Sequence, residues 1–166
     1  MKRPPYLNFP TVTNGTITLR AIKESDLKDL VEISFYDAKQ AENVEMAAEM
    51  QDKIDTDYIE GNSIHWGITE NSTNKVVGTC GYYRGFKNAE GELGCVLLPQ
   101  SQGKGYMTQT LSLAIDFGFK EIGLQRIWAV TDRDNHQAGK LLERLNLKKV
   151  NNPDLNENEV EFELRK

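Results

Sequence analysis

The sequence predicts an α+β fold, a mixed and mostly antiparallel central sheet flanked by helices, and three observations carry that prediction. Several short segments alternate apolar and polar residues at period two, the mark of half-buried strands. Turn-forming runs too short for crossover helices separate neighbouring strands in the middle of the chain, which calls for antiparallel pairing. Two longer segments, Lys104 to Ile122 and Asn135 to Leu145, keep their apolar residues at helical spacing instead.

The elements follow in order. From Thr16 to Ala21, Ile17 and Leu19 alternate with Thr18 and Arg20, which gives the first strand. Glu24 or Ser25 then opens a helix with Leu27, Leu30, Val31 and Ser34 on one face, and a second helix falls between Glu45 and Ile59. Ser63 to Thr69 and Val76 to Tyr83 form a strand pair joined across Asn71 to Lys75, and Gly91 to Leu98 pairs next after a turn at Lys87 to Gly91. Between Lys104 and Ile122 the residues Met107, Leu111, Ala114, Ile115, Gly118 and Ile122 face the sheet, with Gly118 allowing close approach. A strand from Gln125 to Thr131 leads to the helix Asn135 to Leu145, with Ala138, Leu141, Leu142 and Leu145 inward. Strands near Leu147 to Val150 and Glu159 to Leu164 close the fold.

Composition narrows the function classes. A chain of 166 residues with 39% hydrophobic content suits one domain over residues 1–166, its core from about 16 to 164. No apolar run reaches the roughly 18 residues of a membrane span, and the start MKRPPYLNFP lacks the apolar centre of a signal peptide, so a cytoplasmic protein without a membrane partner is expected. The net charge of −5 argues against nucleic-acid binding, which needs a basic face, and suits an amine-bearing partner. Cys80 and Cys95 lie in predicted strands and read as free buried thiols. With His65 and His136 they are too dispersed for a metal cluster, so no metal is expected.

The chemistry concentrates at Leu97 to Thr108, LLPQSQGKGYMT, where an apolar strand stops at Pro99 and a glycine-spaced turn opens a helix. Gly103 and Gly105 can take positive φ and let a ligand approach the backbone. Free amides of the first helical turn and the helix dipole then make an anion site that depends on no particular side chain. An ordinary strand-to-helix bend would use the same glycines. Two other phosphate motifs fail letter by letter. A P-loop needs a Gly where Leu98 stands and a Ser or Thr after the Lys of its Gly-Lys pair, where Gly105 stands. A dinucleotide fingerprint needs Gly at Thr108.

The segment Gln100-x-x-Gly103-x-Gly105, entered from a strand and followed by a long amphipathic helix, resembles the cofactor motif of the GNAT superfamily of acetyl-CoA-dependent N-acetyltransferases. The stretch Leu124 to Val150, LQRIWAVTDRDNHQAGKLLERLNLKKV, is similar to that family's next strand, Asn-headed helix and following strand. Leu97 to Pro99 and Gly105 to Thr108 resemble the ribosomal-protein N-terminal acetyltransferase branch in particular. The resemblance spans about Thr16 to Leu164 and is specific between Gly91 and Val150.

The resemblance implies a splayed cleft between the strand ending at Pro99 and the strand starting near Gln125, with acetyl-CoA as cosubstrate. Its pyrophosphate would rest on the amides of Gln102, Gly103, Lys104, Gly105, Tyr106, Met107 and Thr108. Its pantetheine arm would act as a surrogate strand against Cys95, Val96, Leu97 and Leu98, where an N–H would polarise the thioester carbonyl. Asn135 would contact the arm near the acetyl group, though an N-cap is an equally good use of Asn at that position. Two departures from the family stand out: Ala138 replaces a Ser three residues after Asn135, and Leu141 and Leu142 occupy the helix that often carries a Tyr acid. A non-catalytic acyl-CoA-binding module is therefore the alternative to an enzyme.

The nucleophile must be a neutral amine. An α-amine with pKa of about 7.7–8.0 is roughly a tenth neutral at pH 7, while a lysine amine at about 10.4 is almost wholly charged. A protein N-terminal α-amine or a small amine of low pKa is thus the expected acceptor. Glu92 is the candidate base, acting through water, with His65 second; Tyr82 and Tyr83 could line the acceptor pocket and Tyr106 reads as helix packing. The acidic series Glu42, Glu45, Glu49, Asp52, Asp55 and Asp57 reads as a solvated helix face that could also attract a cation. Exposed strand edges at the termini leave room for a homodimer.

Overall fold

The computed structural model describes residues 1–166. Its main sheet has eight strands: β1 (Val12–Thr13), β2 (Ile17–Arg20), β5 (Ile64–Glu70), β6 (Lys75–Tyr83), β7 (Glu90–Leu97), β8 (Arg126–Asp132), β9 (Lys148–Val150) and β10 (Glu159–Arg165). They lie in the order β1-β2-β5-β6-β7-β8-β10-β9. Every pairing is antiparallel except β7 with β8, which is parallel and short. A separate hairpin, β3 (Phe35–Tyr36) and β4 (Lys39–Gln40), stands apart from the sheet.

Four α-helices complete the layers: α1 (Leu27–Leu30), α2 (Val44–Ile59), α3 (Tyr106–Phe117) and α4 (His136–Arg144). The first differs from the expected continuous helix. Glu24–Asp26 and Val31–Ile33 wind as tight 3₁₀ turns on either side of a single α-turn, and Ser34 is already extended. Asn43 starts α2 by accepting a hydrogen bond from Met46 N–H at 2.8 Å. The long predicted helix after the glycine turn begins at Tyr106, and beyond Phe117 it loosens into a π-helical turn, Gly118–Ile122, that ends at left-handed Gly123.

The main core lies between the sheet and α3. Trp66, Tyr82, Ile127 and Leu124 are fully buried there, and the Trp66 ring meets Phe117 edge-on at 5.2 Å. Tyr82, expected as a pocket residue, belongs to this core instead: its ring lies between Gly91 and Gly118, where any Cβ would collide with it. The opposite face of β5 and β6 is covered by α1 and α2, which carry a small second cluster of Ala41, Ala47 and Met50.

Beyond α2's reach, that second face holds one cation among three carboxylates. Arg126 of β8 bonds Glu90 of β7 and both Glu161 and Glu163 of β10. This ties the three strands together at the one end where β7 and β8 still touch.

Candidate active site

The site is built by the failure of two neighbouring strands to stay together. β7 and β8 are in register only at Glu90–Arg126, Gly91–Ile127 and Glu92–Trp128. Past Glu92 they diverge, and a cavity of about 320 Å³ opens between them, bounded by α3 and α4. Leu93, Cys95 and Leu97 line it from β7, Ala129 and Thr131 from β8, Met107 and Leu111 from α3, and Ala138, Leu141 and Leu142 from α4.

Hydrogen-bond parity decides which main-chain groups of β7 face this cleft. Leu98 N–H donates to the Val77 carbonyl at 2.8 Å, and Gln125 N–H donates to the Ala89 carbonyl at 2.7 Å. Because main-chain direction alternates along a strand, even-numbered residues of β7 turn to β6 and odd-numbered ones to β8. Cys95 and Leu97 therefore present their N–H and C=O to the opening. Val96 and Leu98 do not: the Leu98 amide is already bonded, and the Val96 side chain stands on the other face of the sheet, lining a different cavity.

The glycine turn ends at the mouth of the same cleft. Gly103 and Gly105 take φ +75° and +78°, a left-handed backbone that favours Gly, and a Cβ at Gly103 would meet only open space. Gly105 is the N-cap of α3 and supplies no side-chain cap, so the amides of Tyr106, Met107 and Thr108 have no partner inside the helix. The Gln102 amide is spent on Pro99 carbonyl, while the residue itself lines the cleft. Lys104 is exposed on the turn. Tyr106 is buried, and its hydroxyl donates to the Glu70 carboxylate, which also accepts from Thr73; the helix start is thereby fixed to the β5–β6 turn. An open cradle, three free amides and a helix dipole form a donor set that fits a diphosphate.

Asn135 is the N-cap of α4 and stands at the cleft. Its Oδ1 caps α4 by accepting from Ala138 N–H at 3.1 Å, and the residue borders the cleft, with its amide Nδ2 uncommitted. Gln137 and Gly94 also border it, and sequence reasoning missed both.

Glu92 sits at the fork, in the last register pair before the strands part. Its side chain is 14% exposed, and Oε2 is buried without a hydrogen bond. Arg84 Nη1 lies 3.2 Å away without making a hydrogen bond, and it is 76% exposed, so solvent weakens the pair. Burial pushes the Glu92 carboxyl above its ordinary value, with Glu161 adding to the rise and Arg84 opposing it.

On the far face of β7 lies a larger chamber of about 690 Å³, floored by β5, β6 and Val96 and walled by α1, α2 and the β3–β4 hairpin. Tyr83 lines it. The ring lies over Gly81 and Gly94, which are opposite one another on β6 and β7 and leave space for it. His65 stacks beside Tyr83 at 5.6 Å, and burial lowers its pKa to about 4, so the imidazole is neutral at pH 7. A base of that strength removes few protons, which leaves Glu92 the better placed of the two. Of the acidic series, which runs from Glu42 just before α2 along the helix, only Asp57 borders the chamber; the other five are exposed.

Comparison with known proteins agrees with this geometry. A family model for the acetyltransferase (GNAT) domain matches residues 16–148. The uncharacterized N-acetyltransferase YoaA of Bacillus subtilis is 28% identical over 149 residues, 85% of this chain and 84% of that protein. Among solved structures, a candidate ribosomal-protein-serine acetyltransferase from Vibrio cholerae superposes with a TM-score of 0.78 at 19% identity, covering 94% of this chain and 97% of that one. A spermidine N-acetyltransferase from the same organism gives a TM-score of 0.75 at 17% identity, covering 92% and 95%. With its forked parallel strand pair and uncapped central helix, this chain belongs to the GNAT family of N-acetyltransferases.

Proposed function

We propose that the protein moves the acetyl group of acetyl-CoA to a primary amine by direct attack within a ternary complex. The observation that carries this reading is the fork itself: β7 main-chain groups and an uncapped helix start face one opening, and Glu92 stands in the last register pair before the strands part. Acetyl-CoA supplies an activated thioester. The free amides of Tyr106, Met107 and Thr108 bind its diphosphate, and the cleft-facing groups of Cys95 and Leu97 pair with its pantetheine amides. A β7 N–H at the fork stabilises the oxyanion that develops on attack.

Glu92 accepts the proton of the incoming amine through water, a role its raised pKa suits. Asn135 Nδ2 steadies the arm near the acetyl group. No tyrosine of α4 reaches the cleft, where Leu141 and Leu142 stand, so the sulfur departs as thiolate; a thiol pKa of about 8.5 permits this. Cys95 is no covalent nucleophile. A hydrogen bond with the free Cys80 thiol and burial raise its pKa well above the ordinary value, leaving little thiolate at neutral pH.

The likeness to the ribosomal-protein branch supports a protein N-terminal α-amine as acceptor, and the low pKa of such amines agrees. A second reading, a small amine, is favoured by a 47-residue stretch that is 34% identical to the spermidine N(1)-acetyltransferase of Escherichia coli K12. Release of free CoA in the presence of an amine panel, with the acetylated amine identified by mass, tests the activity. Binding of acetyl-CoA with no acetylated product from any amine would make the chain an acyl-CoA-binding module instead.

A further inference from the structure

The chamber on the α1–α2 side has a chemical character that the function above does not by itself specify. More than half of its lining is apolar, with Leu30, Ile33, Met50 and Ile54 on the helical wall. Phe35 and Val96 also border it, and they are among the few large apolar side chains the fold leaves in water, at 51% and 46% exposure. Both belong to the same cavity although they come from a hairpin and a sheet strand far apart in sequence. Unpartnered apolar surface gathered in one concavity marks a ligand site more than a surface accident.

The polar groups at the chamber floor are neutral and unsatisfied. Ser63 is only 5% exposed, and its Oγ has no hydrogen-bond partner; His65 Nδ1 is likewise buried and unpaired, and both residues line the chamber. A neutral imidazole and a hydroxyl accept hydrogen bonds from an amine without repelling its charged form. Formal charge is sparse and mixed. Asp37 and Asp57 border the chamber, Asp57 is already engaged by the Tyr36 hydroxyl at 3.1 Å, and Arg84 brings an opposing positive charge. A polycation such as a polyamine needs carboxylates spaced along its length, and this cavity offers apolar wall in their place.

We propose that this chamber is the acceptor subsite and that it selects a small primary amine carried on an apolar body, an alkyl or arylalkyl amine, over polyamines and over small polar amines. The assignment rests on the acetyl-transfer reading above for the direction of the amine toward the fork. Phe35 and Val96 grip the apolar body, while Ser63 and His65 face the amine end. The bond made is N–C(acyl), the bond broken is the thioester C–S, and the proton leaves the nitrogen for Glu92 and then solvent.

A homologous series tests it. With acetyl-CoA saturating, kcat/KM for CoA release is measured from propylamine to hexylamine and for 2-phenylethylamine, ethanolamine and spermidine. Each added methylene is expected to raise kcat/KM by about fourfold until the chamber fills, consistent with burial of one CH₂. Phe35→Ser, at an exposed position that does not threaten folding, should raise KM for hexylamine by about five- to tenfold and leave KM for ethanolamine unchanged. Ile54→Glu should reverse the preference toward spermidine. Equal or better turnover of ethanolamine or spermidine overturns the proposal while leaving acetyl transfer intact. Calorimetric titration separates the remaining failures: acetyl-CoA binding without any binding of hexylamine or 2-phenylethylamine overturns the acceptor assignment alone, and loss of acetyl-CoA binding as well takes the acetyl-transfer reading with it.

Discussion

The hydroxyl of Tyr82 donates to the Ala114 carbonyl at 2.8 Å, and its ring presses so closely on α3 that only the absence of a side chain at Gly118 admits it. A Cβ at Gly118 would lie 2.9 Å from Tyr82 Cζ and 3.0 Å from Ile127 Cδ1, and both neighbours are fully buried. This contact sets the distance between α3 and the sheet, and so the depth of the cleft.

Gly118→Ala is therefore expected to lower stability by about 1–3 kcal/mol through overpacking, despite the better helix propensity of alanine. Tyr82→Phe makes room at the clashing hydroxyl, so the double variant should lose less than the sum of the two single changes. Urea unfolding of the four proteins measures both quantities. Strict additivity would show that the two residues do not act on each other.

Glu92→Gln should separate activity from stability. Removing a proton acceptor at the fork is expected to lower kcat by about 100-fold or more. The sign for stability is opposite. A carboxyl raised by burial leaves the fold at full strength below its unfolded pKa of about 4.3 and weakens it as pH rises through the higher folded value. At pH 7 the wild type carries that penalty and Glu92→Gln does not, so its Tm should equal or exceed the wild-type value, and the gap should close on acidification to pH 4. The exposed Arg84 pair is too weak to reverse this. A lower Tm with unchanged kcat would assign Glu92 a structural role.

Gly105→Val should damage acetyl-CoA binding more than Lys104→Ala. Valine at φ +78° is strained by about 1–3 kcal/mol, and its side chain covers the amides of the first turn of α3. Lys104 is an exposed charge at the rim, and its loss is expected to change affinity less than about threefold at physiological salt. Calorimetric titration of the two variants with acetyl-CoA decides between a backbone cradle and a side-chain clamp. A dominant Lys104 effect favours the clamp.

Much of this arrangement was legible in the sequence because it is written in local periodicity. Ile17 and Leu19, the alternation of β5 and β6, and the helical spacing of Met107, Leu111, Ala114 and Ile115 all placed their elements within a residue or two. The glycines at 103 and 105 marked the left-handed turn that opens α3 for the same local reason. What was missed depends on partners distant in the chain. The β3–β4 hairpin turns through Asp37 and Ala38, both at positive φ, and Ala carries no turn signal there. Main-chain parity, which turns Cys95 and Leu97 toward the cleft and Val96 away, follows from pairing with β6 and has no sequence mark. Tyr82 and Tyr83 are adjacent and chemically identical, yet one is core and the other lines a chamber, because successive residues of a strand point to opposite faces.

Hydrogen–deuterium exchange, measured with and without acetyl-CoA, asks most directly whether main-chain donors at the start of α3 and along the open edge of β7 hold the cofactor. Binding is expected to slow exchange at residues 103–108 and 93–97 and to leave α2 unchanged. Protection confined to other segments, or none at saturating acetyl-CoA, would contradict a cofactor site at the fork.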